Sequence, residues 1–213
     1  LAVPELEKLL GIEVYASKSE GVGGAIRESV DDFVVEEVLM DGSKASVTGE
    51  VPSRVLGSTP QKQRFLLCVL VKRNWDTFIA IKNIAKSLGI DQARVQFAGI
   101  KDAKAVTAQH ISIENVSMED AAKIDVKDIS VRPVGYVREM LSLFYLLGNN
   151  FTITIKGIMD SEAAVKERVA QTIRELDAVG GIPNFFGHQR FGTTRPITHL
   201  VGKAIVQGDF EEA

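Results

Sequence analysis

Two short apolar runs, Val95-Gln96-Phe97-Ala98 and Ile111-Ser112-Ile113, bracket the turn Gly99-Ile100-Lys101-Asp102 and the stretch from Ala103 to Gln109. This arrangement constrains the chain more than any other. A strand must end in a tight, basic, glycine-bearing turn that holds one carboxylate at its mouth, the usual place for a scaffold to present a reactive group. By local pattern alone, a turn aspartate solvated beside Lys101 and Lys104 explains the residues as well or better. The balance shifts because two further blocks accompany the turn, Gly148-Asn149-Asn150-Phe151 and Asn184-Phe185-Phe186-Gly187-His188-Gln189-Arg190-Phe191-Gly192.

The periodicity predicts strands over Asp32–Leu39, Phe65–Val71, Val95–Ala98, Ile129–Tyr136 and Leu141–Leu147. Residues 151–155 alternate strictly, so Phe151, Ile153 and Ile155 share one face and Thr152, Thr154 and Lys156 the other. A helix starts at an Asp76 or Thr77 cap, carries Phe78, Ile81, Ile84, Ala85 and Leu88 at helical spacing, and stops at Gly89. A short helix falls at Asp120–Lys123, a long amphipathic one at Ser161–Val179 before Gly180-Gly181, and another begins near Thr198. Residues 40–63, rich in Ser, Gly, Thr and Pro, make a long polar loop of the kind that is mobile or folds only against a ligand. The fold class this implies is α+β, a mixed, mainly antiparallel sheet flanked by helices.

Several functions are excluded on chemical grounds. Gly21-Val22-Gly23-Gly24 lacks the third glycine of a dinucleotide fingerprint, which would fall at Ile26, and no Gly-Lys-Ser/Thr follows to make a phosphate loop. Cys68 is the single cysteine and sits in the apolar run 65–71, while His110, His188 and His199 are scattered without ligand spacing, so no metal site is expected. No apolar run reaches the roughly 20 residues of a membrane span, and no leader-like start is visible; the expectation is a cytoplasmic protein. The net charge is −3, yet Arg54–Lys104 carries ten basic side chains against three acidic ones. That local excess suits either a polyanion or an ordinary solvated surface.

Taken in order, the blocks resemble the TruD family of tRNA pseudouridine synthases. Phe97 to Gln109 is similar to the family's nucleophile motif, Asn184 to Gly192 to its Asn-aromatic-Phe-Gly-x-Gln-Arg-Phe-Gly block, and Gly148 to Phe151 to its Gly-Asn-x-Phe turn. Arg27 with Asp32 to Glu37, and Lys72 with Asp76-Thr77, resemble weaker signatures nearer the N-terminus. The resemblance implies a pseudouridine-synthase-like catalytic core, tRNA as partner, no cofactor and no obligate protein partner. The target it implies is the uridine at position thirteen of the D arm.

By that resemblance Asp102 is the nucleophile. It must be ionised in a site dry enough to protect the intermediate, which calls for a nearby cation. Arg27 is the expected counter-ion. Lys101 ranks second because an extended segment points it to the opposite side, and it is kept as a substrate contact. Phe151 is the stacking partner for an extruded base, with Asn149 beside it; alternation alone makes Phe151 a core residue. Asn184, Gln189 and Arg190 offer groups suited to phosphates or base edges, and a buried structural ion pair accounts for Arg190 equally. Gly99, Thr107 and Gln109 support the Asp102 loop, the last two through side-chain to backbone hydrogen bonds. His188 occupies the variable position of its block and is expected to be a bystander.

Two departures from the family pattern stand out. Phe144 replaces a typical glycine and Leu147 a common lysine in the segment before Gly148. The sequence also begins with Leu1 and stops at Ala213, where relatives continue through an inserted domain and the last part of the catalytic sheet. Residues 1–213 therefore read as one catalytic domain, incomplete at its C-terminus. The rivals are a non-catalytic RNA-binding or RNA-chaperone module and, more weakly, a nucleoside or glycoside hydrolase.

Overall fold

Nine residues from Phe65 to Arg73 extend without a break, and the six from Phe65 to Leu70 are buried, because this strand is covered on both faces. In the computed structural model, residues 2–49, 54–192 and 195–213 are described. In chain order they form α1 (Glu5–Leu9), β1 (Ala25–Ile26), β2 (Phe33–Leu39), β3 (Phe65–Arg73), α2 (Thr77–Leu88) and β4 (Val95–Phe97). β5 (Val106–Glu114), α3 (Met118–Ala121), β6 (Ile129–Val137), β7 (Leu146–Ile153), β8 (Ile155–Lys156), α4 (Glu162–Ala178) and α5 (Thr198–Gln207) follow. Read as one domain in the sequence, the chain divides into two compact units, residues 24–157 and residues 1–23 with 158–213.

The first unit is built on a six-stranded sheet in the order β6-β3-β5-β2-β7, with β4 also pairing β5. Every pair is antiparallel except β2 with β5, the mixed and mainly antiparallel sheet expected. Ile81, Ile84 and Ala85 of α2 pack with Leu66, Cys68 and Leu70 of β3 and Ile111 and Ile113 of β5 in the main core. Burial of this kind supplies roughly 25 cal/mol per Å² of apolar surface removed from water. The helix starts where Asp76 accepts from the amides of Phe78 (2.8 Å) and Ile79 (3.1 Å) and stops at Gly89, whose φ of +63° is left-handed. Phe78, expected on the buried stripe, is half exposed and edges against Phe97.

Two expectations change. Among the described residues of 40–63 there is no helix or strand, but they are anchored rather than loose. Ala45 and Val47 pack with Val69 and Ala108, Val55 packs with Leu39 and Leu67, and Glu36 accepts from the Val47 amide (3.0 Å). The strand expected at Leu141–Leu147 is instead a 3-10 turn at Leu143–Tyr145 followed by β7.

In the second unit, Ser161 caps α4 through the Ala164 amide (3.3 Å), and Glu175 on that helix accepts from the amides of Lys18 (2.6 Å) and Ser19 (3.1 Å). α5 ends at Gly208, again left-handed. No helix among the described residues is long and apolar enough to cross a membrane.

Candidate active site

Strand register lays out the floor of the site. Lys72 on β3 pairs with Thr107 on β5, Thr107 with Val35 on β2, and Val35 with Phe151 on β7, a single row across four strands. Phe33 and Glu37, two residues either side of Val35, share its face because strand side chains alternate. The turn between β4 and β5 carries Asp102 over this row.

The turn is held mainly through its backbone. Lys72 is fully buried, and its three ammonium protons meet three carbonyls: Trp75 O at 2.7 Å, Asp102 O at 2.8 Å and Lys101 O at 3.4 Å. Burial pushes this ammonium down to about 8, against the pull of the Asp76 and Asp102 carboxylates. Thr77 accepts from the Lys101 amide at 3.1 Å, and Gln109 Nε2 donates to Gly99 O at 3.1 Å. Gly99 lets Leu146 and Lys101 pack closely, since a Cβ there would lie 3.0 Å from Leu146 Cδ2 and 3.2 Å from Lys101 Nζ and both side chains would have to give way.

Lys101 turns inward. It is 4% exposed, and its ammonium lies 2.7 Å from Glu37 Oε2, while Glu37 Oε1 accepts from the His110 amide (2.9 Å) and lies 3.2 Å from His110 Nδ1. Burial opposes the charge on Glu37, but the His110 hydrogen bond and the Lys101 ammonium outweigh it and hold the carboxyl below the usual carboxylate range. The expected substrate contact from Lys101 is thus corrected: its charge is spent inside the protein on Glu37. Thr107 is corrected too. Its hydroxyl is buried without a hydrogen-bond partner among the described residues, so it does not brace the turn as Gln109 does.

Asp102 keeps its side chain 37% exposed, and Oδ1 accepts from Arg27 Nη2 at 2.7 Å. Arg27 is the counter-ion expected from the sequence. Its backbone is left-handed, φ +61°, a conformation uncommon for a residue with a side chain. Its guanidinium carbon stands 3.7 Å from the centroid of the Phe33 ring, and that ring meets Phe151 edge to face at 5.9 Å and 66°. Phe151 is 51% exposed, so the core role that alternation suggests does not hold. Asn149, two residues earlier on β7, is exposed on the same face.

Asn184, Gln189 and Arg190 belong to the second unit, where all three are exposed. Arg190 has no acidic partner within ion-pair distance among the described residues, so the buried ion pair is excluded. In the same segment His188 Nδ1 lies 2.6 Å from Glu7 Oε1, a structural contact. Two concavities, one lined by Leu56, Gln63 and Leu141 and the other by Phe65, Met140 and Phe144, include none of Arg27, Asp102 or Phe151. His110 is missed in the sequence, and Phe33, Glu37 and Lys72 stand there in the weaker signatures without a role. For Lys72, Glu37 and His110 the signal is a charged or titratable side chain in an otherwise apolar strand, which requires buried partners; no such signal marks Phe33.

A family model described as tRNA pseudouridine synthase D (TruD) matches residues 9–213. A protein of Methanosarcina barkeri named as a probable tRNA pseudouridine synthase D is 41% identical over 213 residues, covering 100% of this chain and 45% of its own length. A Thermococcus sibiricus protein of the same name is 42% identical over 203 residues, covering 93% of this chain and 44% of its own. A crystal structure from Methanosarcina mazei, described as a TruD tRNA pseudouridine synthase, superposes with a TM-score of 0.80 at 38% identity over 100% of this chain and 45% of that one. The chain thus spans about half the length of the curated relatives it matches. On this match, which runs through the Asp102 turn and the Asn184–Gly192 block alike, the chain belongs to the TruD family of tRNA pseudouridine synthases.

Proposed function

We propose that the protein converts a uridine of tRNA to pseudouridine with Asp102 as the nucleophile. The observation that carries this is the pairing of Asp102 Oδ1 with Arg27 at 2.7 Å, on a turn whose backbone is fixed by buried Lys72 and Gln109. Oδ2 has no hydrogen-bond partner among the described residues, so one oxygen is fixed while the other is available to a substrate. The reaction breaks the N1–C1′ glycosidic bond, turns the uracil and joins C5 to C1′, and the proton lost from C5 is matched by one gained at N1. It is an isomerisation with no change of oxidation state, so it requires no redox cofactor. Asp102 attacks either C1′ of the sugar, displacing N1 of the uracil and leaving again when C5 bonds to C1′, or the uracil ring, from which it is later eliminated; Arg27 pairs with the carboxylate before attack and after its release. Half-exposed Phe151 offers a face for the extruded base, and Asn149 an amide for its edge. Exposed Asn184, Gln189 and Arg190 supply polar contacts to the RNA, with the position-thirteen uridine of the D arm as target.

The test is Asp102→Asn in the full-length protein, scored by pseudouridine mapping of treated tRNA and by tRNA binding. Loss of product with binding retained supports the nucleophile. Product formation by the variant refutes it, and wild-type protein that binds tRNA without making pseudouridine would favour the non-catalytic RNA-binding module.

A further inference from the structure

Arg27 makes one hydrogen bond to Asp102, and a single bond does not orient a guanidinium. Its Nε is buried with no acceptor among the described residues. What lies against the group is the face of Phe33, 3.7 Å away, and the same ring touches Phe151. Phe33 itself is firmly set. It is 6% exposed, packs with Val35 and Ala105, and pairs with Ile153 in register. The preceding Asp32 is bound to the Ser29 amide (2.7 Å), to Lys156 (2.7 Å) and, through its carbonyl, to the Thr154 amide (2.8 Å).

We propose that Phe33 is a positioning residue for the reaction, whose one ring aims the Arg27 guanidinium at Asp102 and sets the angle at which Phe151 meets the base. The inference rests on the reading of Asp102, Arg27 and Phe151 as the reacting site. A cation over an aromatic face is attracted by the ring quadrupole, most strongly where water is excluded. An aliphatic side chain of similar bulk fills the volume but offers no such attraction. The left-handed backbone at Arg27 fits this arrangement, because it is tolerated only where surrounding contacts over-determine it.

The test replaces Phe33 in the full-length protein by phenylalanines carrying one, two, three and five ring fluorines, which drain the quadrupole with little change of shape, and by Leu and Tyr. Expected is a stepwise fall in kcat along the fluorine series, reaching roughly tenfold, with KM for tRNA little changed. Phe33→Leu should fall at least as far and Phe33→Tyr should keep most of the activity. A structural readout independent of turnover accompanies this: the Arg27 Nε–H proton resonance, identified by its loss in Arg27→Lys, should be shifted upfield by the ring and relax toward the ordinary position in Phe33→Leu. A flat fluorine series in an active enzyme, or an Arg27 resonance unmoved by Phe33→Leu, overturns the proposal. Failure of the underlying reading is seen separately, as pseudouridine formation that survives Asp102→Asn.

Discussion

Replacing Glu37 by Gln isolates the buried charge network behind the nucleophile turn. Glutamine keeps the shape and can still accept from the His110 amide, so the change removes chiefly the negative charge facing Lys101. Two unit charges 2.7 Å apart attract by about 6 kcal/mol at an effective dielectric of about 20. Desolvation of both groups offsets much of that. What remains after removing one partner is an uncompensated buried ammonium, at a cost of about 3–5 kcal/mol. Set against a typical total of about 5–15 kcal/mol, Glu37→Gln should bring the unit close to unfolding. The assay is guanidinium denaturation at neutral pH followed by fluorescence of Trp75, the single tryptophan of the chain. The double variant Glu37→Gln with Lys101→Met removes both charges and should recover most of the loss, because an apolar replacement of a buried pair is often neutral. The sign of the pH dependence follows from the depressed carboxyl of Glu37. An unfolded glutamate titrates near about 4.3, so the unfolded chain binds more protons just below that value. The wild-type advantage over Glu37→Gln is full above it and shrinks as pH falls through the folded value. A loss under about 1 kcal/mol for the single variant, or a double variant no more stable than it, refutes the reasoning.

Lys72→Met removes the donor of three carbonyls around Asp102; faster amide exchange at Ala103–Ala105 and a loss of pseudouridine formation of at least about tenfold are expected, at roughly 1.5–3 kcal/mol for a charged hydrogen bond. Because folded Lys72 titrates at about 8 and an unfolded lysine near about 10.4, the unfolded state binds more protons in that window; wild-type stability should therefore rise with pH across it, and the rise should be absent in Lys72→Met. Asp76→Ala deletes the α2 cap and should cost about 1 kcal/mol by denaturation. Phe151→Ala, at a half-exposed site, should change the same denaturation midpoint little yet weaken productive tRNA binding roughly tenfold, consistent with about 1–3 kcal/mol per stacked base.

The parts of the fold legible in the sequence are those encoded by neighbours along the chain. α2 is bounded by an Asp cap and a left-handed Gly, and α4 by Ser161 and Gly180-Gly181, because caps act within one turn. β3 follows from its apolar content, whereas β5 shows only the run Ile111-Ser112-Ile113, because Thr107, Gln109 and His110 interrupt the apolar pattern before it. The segment 141–147 misleads because an apolar run records composition rather than burial: Leu143 and Phe144 are 70% and 92% exposed, and the local hydrogen bond from Tyr145 N to Ser142 O closes a turn instead of extending a strand. In the site, Asp102 and Arg27 are legible through their motifs, although 75 positions separate them. Phe33 is not, since its contact with Phe151 exists only after β2 has paired with β7 and its contact with Arg27 only once the chain takes the left-handed conformation there.

Charge shows the same limit more sharply. Ten basic residues between Arg54 and Lys104 suggest a positive surface. Five of them are engaged within the fold: Lys72 on carbonyls, Lys101 on Glu37, Arg73 on Asp31, Arg64 on Glu114, and Arg94 on the carbonyls of Glu114 and Asn115. Arg54, Lys62, Lys82, Lys86 and Lys104 are exposed. The two lysines turned inward flank the nucleophile from behind, where low dielectric makes their charge felt more strongly than at the surface. A positive segment in a chain of negative net charge thus divides its work. Most of it, Arg64 and Arg73 included, is exposed toward any polyanion that approaches, and the two buried lysines, Lys72 and Lys101, stand behind the turn from which one carboxylate projects.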